Sequence, residues 1–283
     1  MTTGLIDTAV AAARAGAREL VPRFRAGDLE VRAKAPNDFV SEADEASEKA
    51  VLELITARYP EHCLLSEEEG AVGGSDSRHL WIVDPLDGTT NFLQGLPNWG
   101  VSVACLRDRE VVVGAILDPL NDQLFVAERG GGAQWAGRAM QVSSRPDLGG
   151  GFIATGYPFK ARQALDEYLA AFRAVFLRAK GIRRCGAAVL DLAYTAAGVY
   201  DGFFEFRLSP WDLAAGSLMI VEAGGVATDL DGGSGFLRGG NLVAGNAGVQ
   251  AEMLHLIGSY VDEATLDRLA PNTAINGPGM LGF

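Results

Sequence analysis

Apolar residues recur along this chain with two distinct periods, and the change between them divides it. Leu5, Val10, Ala13, Ala17, Leu20 and Val21 fall at helical spacing with Gly27 as a stop, which predicts an opening amphipathic helix. A second helix is predicted from about Glu42 to Arg58. Ala46, Ala50, Val51, Leu54 and Ile55 form its stripe, Glu42, Asp44, Glu45, Glu48 and Lys49 fall largely outside it, and Tyr59-Pro60 ends it. From His79 onward, Leu80–Val83, Val101–Leu106, Val111–Leu117 and Leu124–Ala127 are short β-type runs separated by turn residues. They predict a sheet with antiparallel neighbours, with hairpin connections at residues 107–110 and 119–122.

The second half alternates strand and helix. Strands are predicted at 151–155, 182–184, 202–206, 226–228 and 242–244, and helices at 163–180, 189–197, 211–223 and 248–257. Residues 270–283 are rich in Gly, Pro and Asn without periodicity and read as a tail or surface wrap. A soft boundary at residues 145–151 gives an N-terminal half over residues 1–145, a C-terminal half over residues 146–262 and a tail over residues 263–283. Gly130–Gly132 opens no helix with a GxGxxG pattern, so no nucleotide loop is read there.

Composition narrows the partners. With 283 residues, 48% of them hydrophobic, the chain can bury a substantial core. Its net charge of −12 repels polyanions, so direct nucleic-acid binding is not expected, and a site for a small phosphate needs a local positive centre such as a metal. Cys63, Cys105 and Cys185 are odd in number and lack CxxC spacing, which argues against a disulfide framework or zinc knot and fits a reducing cytoplasm. The N-terminal apolar stretch is interrupted by Arg14 and Arg18, and no run approaches a bilayer span. A soluble cytoplasmic protein is the expectation, with no membrane partner.

The candidate chemistry lies in carboxylates. Asp84 and Asp87 stand in Trp81-Ile-Val-Asp-Pro-Leu-Asp-Gly-Thr-Thr-Asn-Phe92, where an apolar strand ends in a tight turn. Two acids across such a turn can share a hard cation, the Leu86 carbonyl can add a ligand, and Gly88 permits close backbone approach. Thr89, Thr90 and Asn91 can open a helix whose N–H groups face an anion. Asp-Pro and Asp-Gly also make good turns without any ligand. The run Glu67-Glu68-Glu69 follows apolar Cys63–Leu65 and, taken alone, reads equally as a solvated face. Asp212 in Ser209-Pro-Trp-Asp212 leads into a helix, where it also suits N-terminal helix stabilisation. His62, His79 and His255 form no HExxH motif and read as structural or surface residues.

Taken together, these three segments, in this order and at these separations, resemble the metal-site motifs of the inositol monophosphatase family. The resemblance runs from Lys34–Asp44 to the Glu222-Ala-Gly-Gly-Val region, and Arg183–Tyr194 with Asp201–Glu205 resembles the bacterial extragenic suppressor branch. It implies a mixed α+β and α/β fold, a layered αβαβα sandwich. It also implies one magnesium at Glu67, Asp84 and the Leu86 carbonyl and another at Asp84, Asp87 and Asp212. A third, weaker ion would use Glu67, with Asp38 and Asp44 near its water shell. Main-chain N–H groups at Gly88, Thr89 and Thr90 would bind phosphate, with Gly186, Ala187, Ala188 and Glu205 on the substrate side. Ser66 stands where the family commonly has Gly, and Lys34 sits one residue nearer Asp38 than in some relatives.

Two such cations can clamp the attacking and departing oxygens of an in-line displacement and lower the pKa of a bound water, which Glu67 and Thr89 would orient. Inositol 1-phosphate is the substrate the resemblance favours. Histidinol phosphate, fructose 1,6-bisphosphate and 3′-phosphoadenosine 5′-phosphate are the rivals. It further implies lithium sensitivity, a homodimer, and a protein contact with transcription machinery near Arg183 and Arg184.

Overall fold

The central strands alternate their side chains between two apolar clusters, and this sets the layering of the molecule. In β5 (Asp76–Asp87), Trp81 and Val83 point one way and Leu80 and Ile82 the other. In β6 (Gly100–Arg107), Val101, Val103 and Cys105 share the first face while Ala104 and Leu106 share the second. Both faces are dry, so each needs a helical cover. The computed structural model describes residues 3–26, 29–35, 38–159 and 161–269.

One face is covered by α1 (Thr3–Arg23) and α2 (Glu42–Arg58), whose buried Leu5, Ala9, Ala13, Leu20, Val51 and Ile55 join that cluster. Between them lies a hairpin of β1 (Val31–Ala35) and β2 (Asp38–Ser41). The predicted stripe of α2 is displaced: Asp44 and Glu48 are buried rather than solvated, because both carboxylates are bonded to main-chain N–H groups next to the site described below. On α1, Val21 is exposed and Leu20 closes the buried face.

The large sheet has eight strands. β3 (His62–Ser66) lies parallel to β5 and carries β4 (Gly70–Val72) at its outer side. β7 (Glu110–Asp118), β8 (Gln123–Glu128), β9 (Gly132–Trp135) and β10 (Arg138–Ala139) continue antiparallel from β6. The predicted antiparallel sheet is therefore present, with a parallel β3–β5 pair that the short run Cys63–Leu65 did not reveal. Ser66 is fully buried at the end of β3 and does not take a left-handed conformation, so glycine is not required there.

The chain crosses to a five-stranded sheet between the end of β10 at Ala139 and Phe152. Its order is β12 (Gly181–Arg183), β11 (Phe152–Thr155), β13 (Gly202–Glu205), β15 (Leu242–Gly245) and β14 (Val226–Thr228). Alternation recurs: Phe203 and Ala244 face the middle layer, while Phe204 and Val243 face outward. The middle layer is α5 (Ala188–Ala196) and α6 (Pro210–Glu222), apolar almost all round because each lies between two sheets. Gly114 of β7 would place a Cβ only 2.9 Å from the Cα of Ala215, so small residues let α6 lie against the large sheet. The outer face is covered by α4 (Leu165–Phe176) and α8 (Ala247–Gly258). The result is helix, sheet, helix, sheet, helix: the expected αβαβα sandwich.

Several elements differ from expectation. The helix predicted over 163–180 is a 3₁₀ turn at Arg162–Ala164 followed by α4. It stops early because Lys180 donates to the Gly151 carbonyl as the chain enters the sheet. Short helices α3 (Thr89–Leu93), α7 (Phe236–Gly239) and α9 (Glu263–Arg268) complete the described chain. The last of these occupies the start of the segment read as a tail, and residues 270–283 lie outside the described residues.

Candidate active site

A β-bulge brings the first two carboxylates together. With strict alternation, Asp84 and Asp87 would point to opposite faces of the sheet. In β5, Asp84 pairs with Ser102 and Asp87 with Gly100, so three steps on one strand oppose two on the other. The extra residue reverses the parity. Leu86 turns into the α1/α2 cluster, and Asp87 joins Asp84 on the side of α5 and α6. Ser47 on α2 holds the bulge by donating to the Pro85 carbonyl at 2.8 Å.

Asp212 reaches the same point from the first turn of α6. One ligand oxygen from each of Asp84, Asp87 and Asp212 lies within 4.8 Å of the others. Asp212 also accepts the Ser209 N–H at 2.6 Å, so it caps its helix and faces the cluster at once. Asp87 accepts the Val189 N–H of α5 at 2.8 Å. Asp84 is 1% exposed: one of its oxygens accepts the Leu86 N–H at 3.0 Å, and the other is buried with no hydrogen-bond partner. Glu67, just beyond β3, adds its charge to the field at Asp84 and Asp87.

Electrostatics show what this set lacks. Burial first, then Glu67, Asp87 and Asp212, raises Asp84 well above the usual carboxylate range. Burial and Asp212 do the same to Asp87, against the Val189 bond. Clustered acids resist ionisation together unless a cation neutralises them. An orphaned buried oxygen among convergent hard oxygen donors is the donor set that divalent cations such as magnesium take.

The surrounding loops are tied to this point. Gly88 has φ +90°, and a Cβ there would lie 3.0 Å from the Asn98 carbonyl oxygen and 3.3 Å from that of Gly186. The structure thus sets the start of α3 against the substrate-side loop. Asn91, on α3, donates to the carbonyls of Asn98 and Cys185 at 2.7 and 2.9 Å and fixes that contact. Ala187 and Ala188 are buried. The Thr89 hydroxyl lies 3.1 Å from both the Asp44 carboxylate and the Leu86 carbonyl. Asp44 spends its other oxygen on the Ser41 N–H and hydroxyl, so it holds Thr89 and the head of α2 rather than standing open toward an ion. The Asp38 and Lys34 side chains lie outside the described residues.

Glu205 ends β13 on the far side of the site. Burial pushes its carboxyl well above the usual range, aided by Asp212 and Asp191 and opposed by Arg184. A Cβ at Gly156 would sit 1.9 Å from Glu205 Oε1, so a side chain there would push the Glu205 carboxylate out of its place. Sequence reasoning missed Gly156, Glu48 and Asp191. Glu48 accepts the N–H groups of Glu68 and Glu69 at 2.9 and 2.7 Å and thereby sets the turn after Glu67. Asp191 is 2% exposed on α5, with its pKa raised to about 8 by burial. The position of Ser41 three residues before Asp44 is a capping-box spacing that signalled part of this.

The histidines stand apart from this site. His62, Asp76 and His79 cluster near the opposite end of β5, with the two rings stacked at 4.3 Å. Trp81 donates its indole N–H to His62 Nδ1 at 3.0 Å, and Asp76 holds His79 Nδ1 at 2.7 Å. Nδ1 of both rings is already engaged by Trp81 and Asp76, one ligand atom from each of His62, Asp76 and His79 lies within 4.8 Å of the others, and the cluster takes no part in the carboxylate site.

Comparison with known proteins agrees with the geometry. Residues 2–264 match the family model described as "Inositol monophosphatase family". The chain is 42% identical over 251 residues to "Nus factor SuhB" of Escherichia coli (strain K12), covering 88% of this chain and 94% of that protein. It is 44% identical over 256 residues to "Inositol-1-monophosphatase" of Mesorhizobium japonicum, covering 90% of this chain and 96% of the relative. The crystal structure of extragenic suppressor protein suhB from Bartonella henselae superposes with a TM-score of 0.87 at 43% identity, covering 90% of this chain and 98% of that one. The bulge, the carboxylate cluster and the matched length lead to one conclusion: this chain is a phosphatase belonging to the inositol monophosphatase family.

Proposed function

We propose that the protein is a magnesium-dependent phosphatase that hydrolyses inositol 1-phosphate to inositol and phosphate. One observation carries this reading: the β5 bulge sets Asp84 and Asp87 beside Asp212, with a buried Asp84 oxygen left without a protein partner. Glu67, Asp84 and the Leu86 carbonyl would hold one ion, and Asp84, Asp87 and Asp212 a second. A third would rest on Glu67. Magnesium bound there supplies Lewis acidity, offsetting phosphoryl charge and lowering the pKa of water.

The chain's own residues do the rest. Thr89, with its hydroxyl hydrogen directed to Asp44 or Leu86, keeps lone pairs for a water that Glu67 also orients. The N–H groups of Gly88, Thr89 and Thr90 at the head of α3 bind phosphate. Gly186 and the main chain of Ala187 and Ala188 meet the leaving group from one side, and Glu205 accepts bonds from its hydroxyls. The phosphoryl group passes directly to water. Chelation should abolish release of phosphate from inositol 1-phosphate, magnesium should restore it, and lithium in the millimolar range should inhibit it. Full turnover in excess chelator would refute the reading, and a higher kcat/KM on fructose 1,6-bisphosphate, histidinol phosphate or 3′-phosphoadenosine 5′-phosphate would reassign the substrate.

A homodimer and a cytoplasmic location belong to the same proposal. Leu165, Leu169 and Phe176 form a stripe at helical spacing on α4, with Leu177 beyond it, 44 to 64% exposed, which suits an isologous contact. Three free cysteines, two of them buried, suit a reducing compartment. A second role is favoured by one observation, the likeness to a protein named Nus factor: contact with a protein of the transcription machinery on the surface beside Arg183. A pull-down from cell extract beside the phosphate assay tests it.

A further inference from the structure

Arg184 stands on the substrate-side loop beside Gly186, close enough to Glu205 and Asp191 for its charge to act on both, and nothing in the hydrolytic scheme uses it. Its guanidinium lies 5.5 Å from the ring centroids of both Tyr157 and Phe159. These rings meet edge to face and are 45% and 50% exposed, an unusual use of two aromatics outside a core. Arg184 takes part in no ion pair among the described residues. Both rings lie to one side of the guanidinium, and its N–H donors make no hydrogen bond among the described residues.

Its position gives those donors an address. Arg184 Nη1 lies 2.6 Å from where a Gly186 Cβ would be, next to the Asn91 amide of the phosphate-side helix α3. Its charge is also felt at Glu205 and at Asp191. In a chain of net charge −12, a planar cation stacked in place at this mouth provides a local positive centre beyond the metal ligands. Phosphate itself is served by α3 and the carboxylate-held ions, so Arg184 faces the part of the ester that leaves.

Resting on the phosphatase reading above, we propose that Arg184, carried on Tyr157 and Phe159, is a specificity residue that contacts the leaving group and extends the substrate range beyond inositol 1-phosphate to phosphate monoesters bearing a second anionic substituent. The guanidinium fork matches a carboxylate in two parallel bonds, which a lysine cannot reproduce. Asp191 and Glu205 then serve hydroxyls on the same leaving group.

Two esters that differ by one carboxylate test this: 2-phosphoglycerate and glycerol 2-phosphate. In the magnesium-loaded protein, Arg184→Gln should lower kcat/KM on 2-phosphoglycerate roughly ten- to a hundredfold, the loss of one charged hydrogen-bonded contact. Glycerol 2-phosphate should change little, and Arg184→Lys should recover only part of the difference. An equal fall on both esters, or no change on either, overturns the proposal. Calorimetric binding of the two esters with calcium in place of magnesium gives a readout without turnover. The wild type should bind 2-phosphoglycerate more tightly and Arg184→Gln should lose the preference; equal affinities in the wild type overturn it. If the wild type with magnesium hydrolyses neither ester nor inositol 1-phosphate, the phosphatase reading fails, and the calorimetric preference alone decides on Arg184.

Discussion

Asp84 is bonded on one side to the Leu86 N–H and on the other to nothing, among acids that raise its pKa. A carboxyl whose folded pKa is raised contributes stability below its unfolded value near 3.8 and loses it as pH rises. The metal-free protein should therefore be strained at neutral pH. Asp84→Asn should raise the metal-free melting temperature at neutral pH, abolish the upward shift that magnesium gives the wild type, and abolish turnover. Scanning calorimetry with and without magnesium checks all but the last, which the phosphate assay covers. Glu205 makes a second comparison. Asp212→Asn should lower kcat on every ester, whereas Glu205→Gln should penalise inositol 1-phosphate more than an ester lacking those hydroxyls. A charged hydrogen bond contributes about 1.5–3 kcal/mol, or roughly ten- to a hundredfold in kcat/KM. Equal losses on all substrates would remove Glu205 from the specificity residues. The carboxylates themselves were legible because their motifs lie within short runs. Gly156 and Asp191 were not, since Glu205, the partner that defines them, lies 49 and 14 residues away along the chain.

Among the elements, β5 does most of the positioning. Its end at Asp87 depends on the turn into α3, where Gly88 at φ +90° lies against Asn98, Trp99 and Gly186. Gly88→Ala should cost about 1–2 kcal/mol for the left-handed backbone alone. It should also lower kcat, because the N–H groups that open α3 would shift. Thermal unfolding and steady-state kinetics on one preparation check both. Near the opposite end of β5, His62 accepts from Trp81 and stacks on His79. Burial, then the neighbouring His79, lowers its pKa below 6.5. The unfolded chain binds that proton more readily, so this contribution to stability is present at neutral pH and is lost as pH falls through and below about 6.5. His62→Gln keeps an acceptor for Trp81, and between pH 7 and 5 it should lose less melting temperature than the wild type. Equal slopes would remove His62 as the titrating group. The periodicity that predicted most of the helices and the β5–β8 strands failed on β3 and on the Asp84–Asp87 bulge. Three apolar residues carry no period, and a bulge breaks the one that is there.

At the scale of the whole molecule, two sheets share the middle helices, and α4 on the outside keeps an apolar stripe uncovered. Leu169→Glu in that stripe should convert a dimer to a monomer by light scattering with inositol 1-phosphate turnover retained; an unchanged mass would move the interface elsewhere. The sequence by itself determined the alternation of helix and strand and, through motif resemblance, the family, and it singled out the acids Glu67, Asp84, Asp87 and Asp212 as candidates. Those are local facts, written in neighbouring residues whose spacing matches a helix, a strand or a turn. Only the tertiary structure decided that the α5 N–H of Val189 would hold Asp87, that Asp44 and Glu48 would be buried scaffolding rather than solvated face, and that Arg184 would rest against Tyr157 and Phe159 with its charge felt at Glu205. Each of those contacts joins residues far apart in the chain, and its formation depends on which faces the sheets and helices bury against one another, a choice no single segment makes.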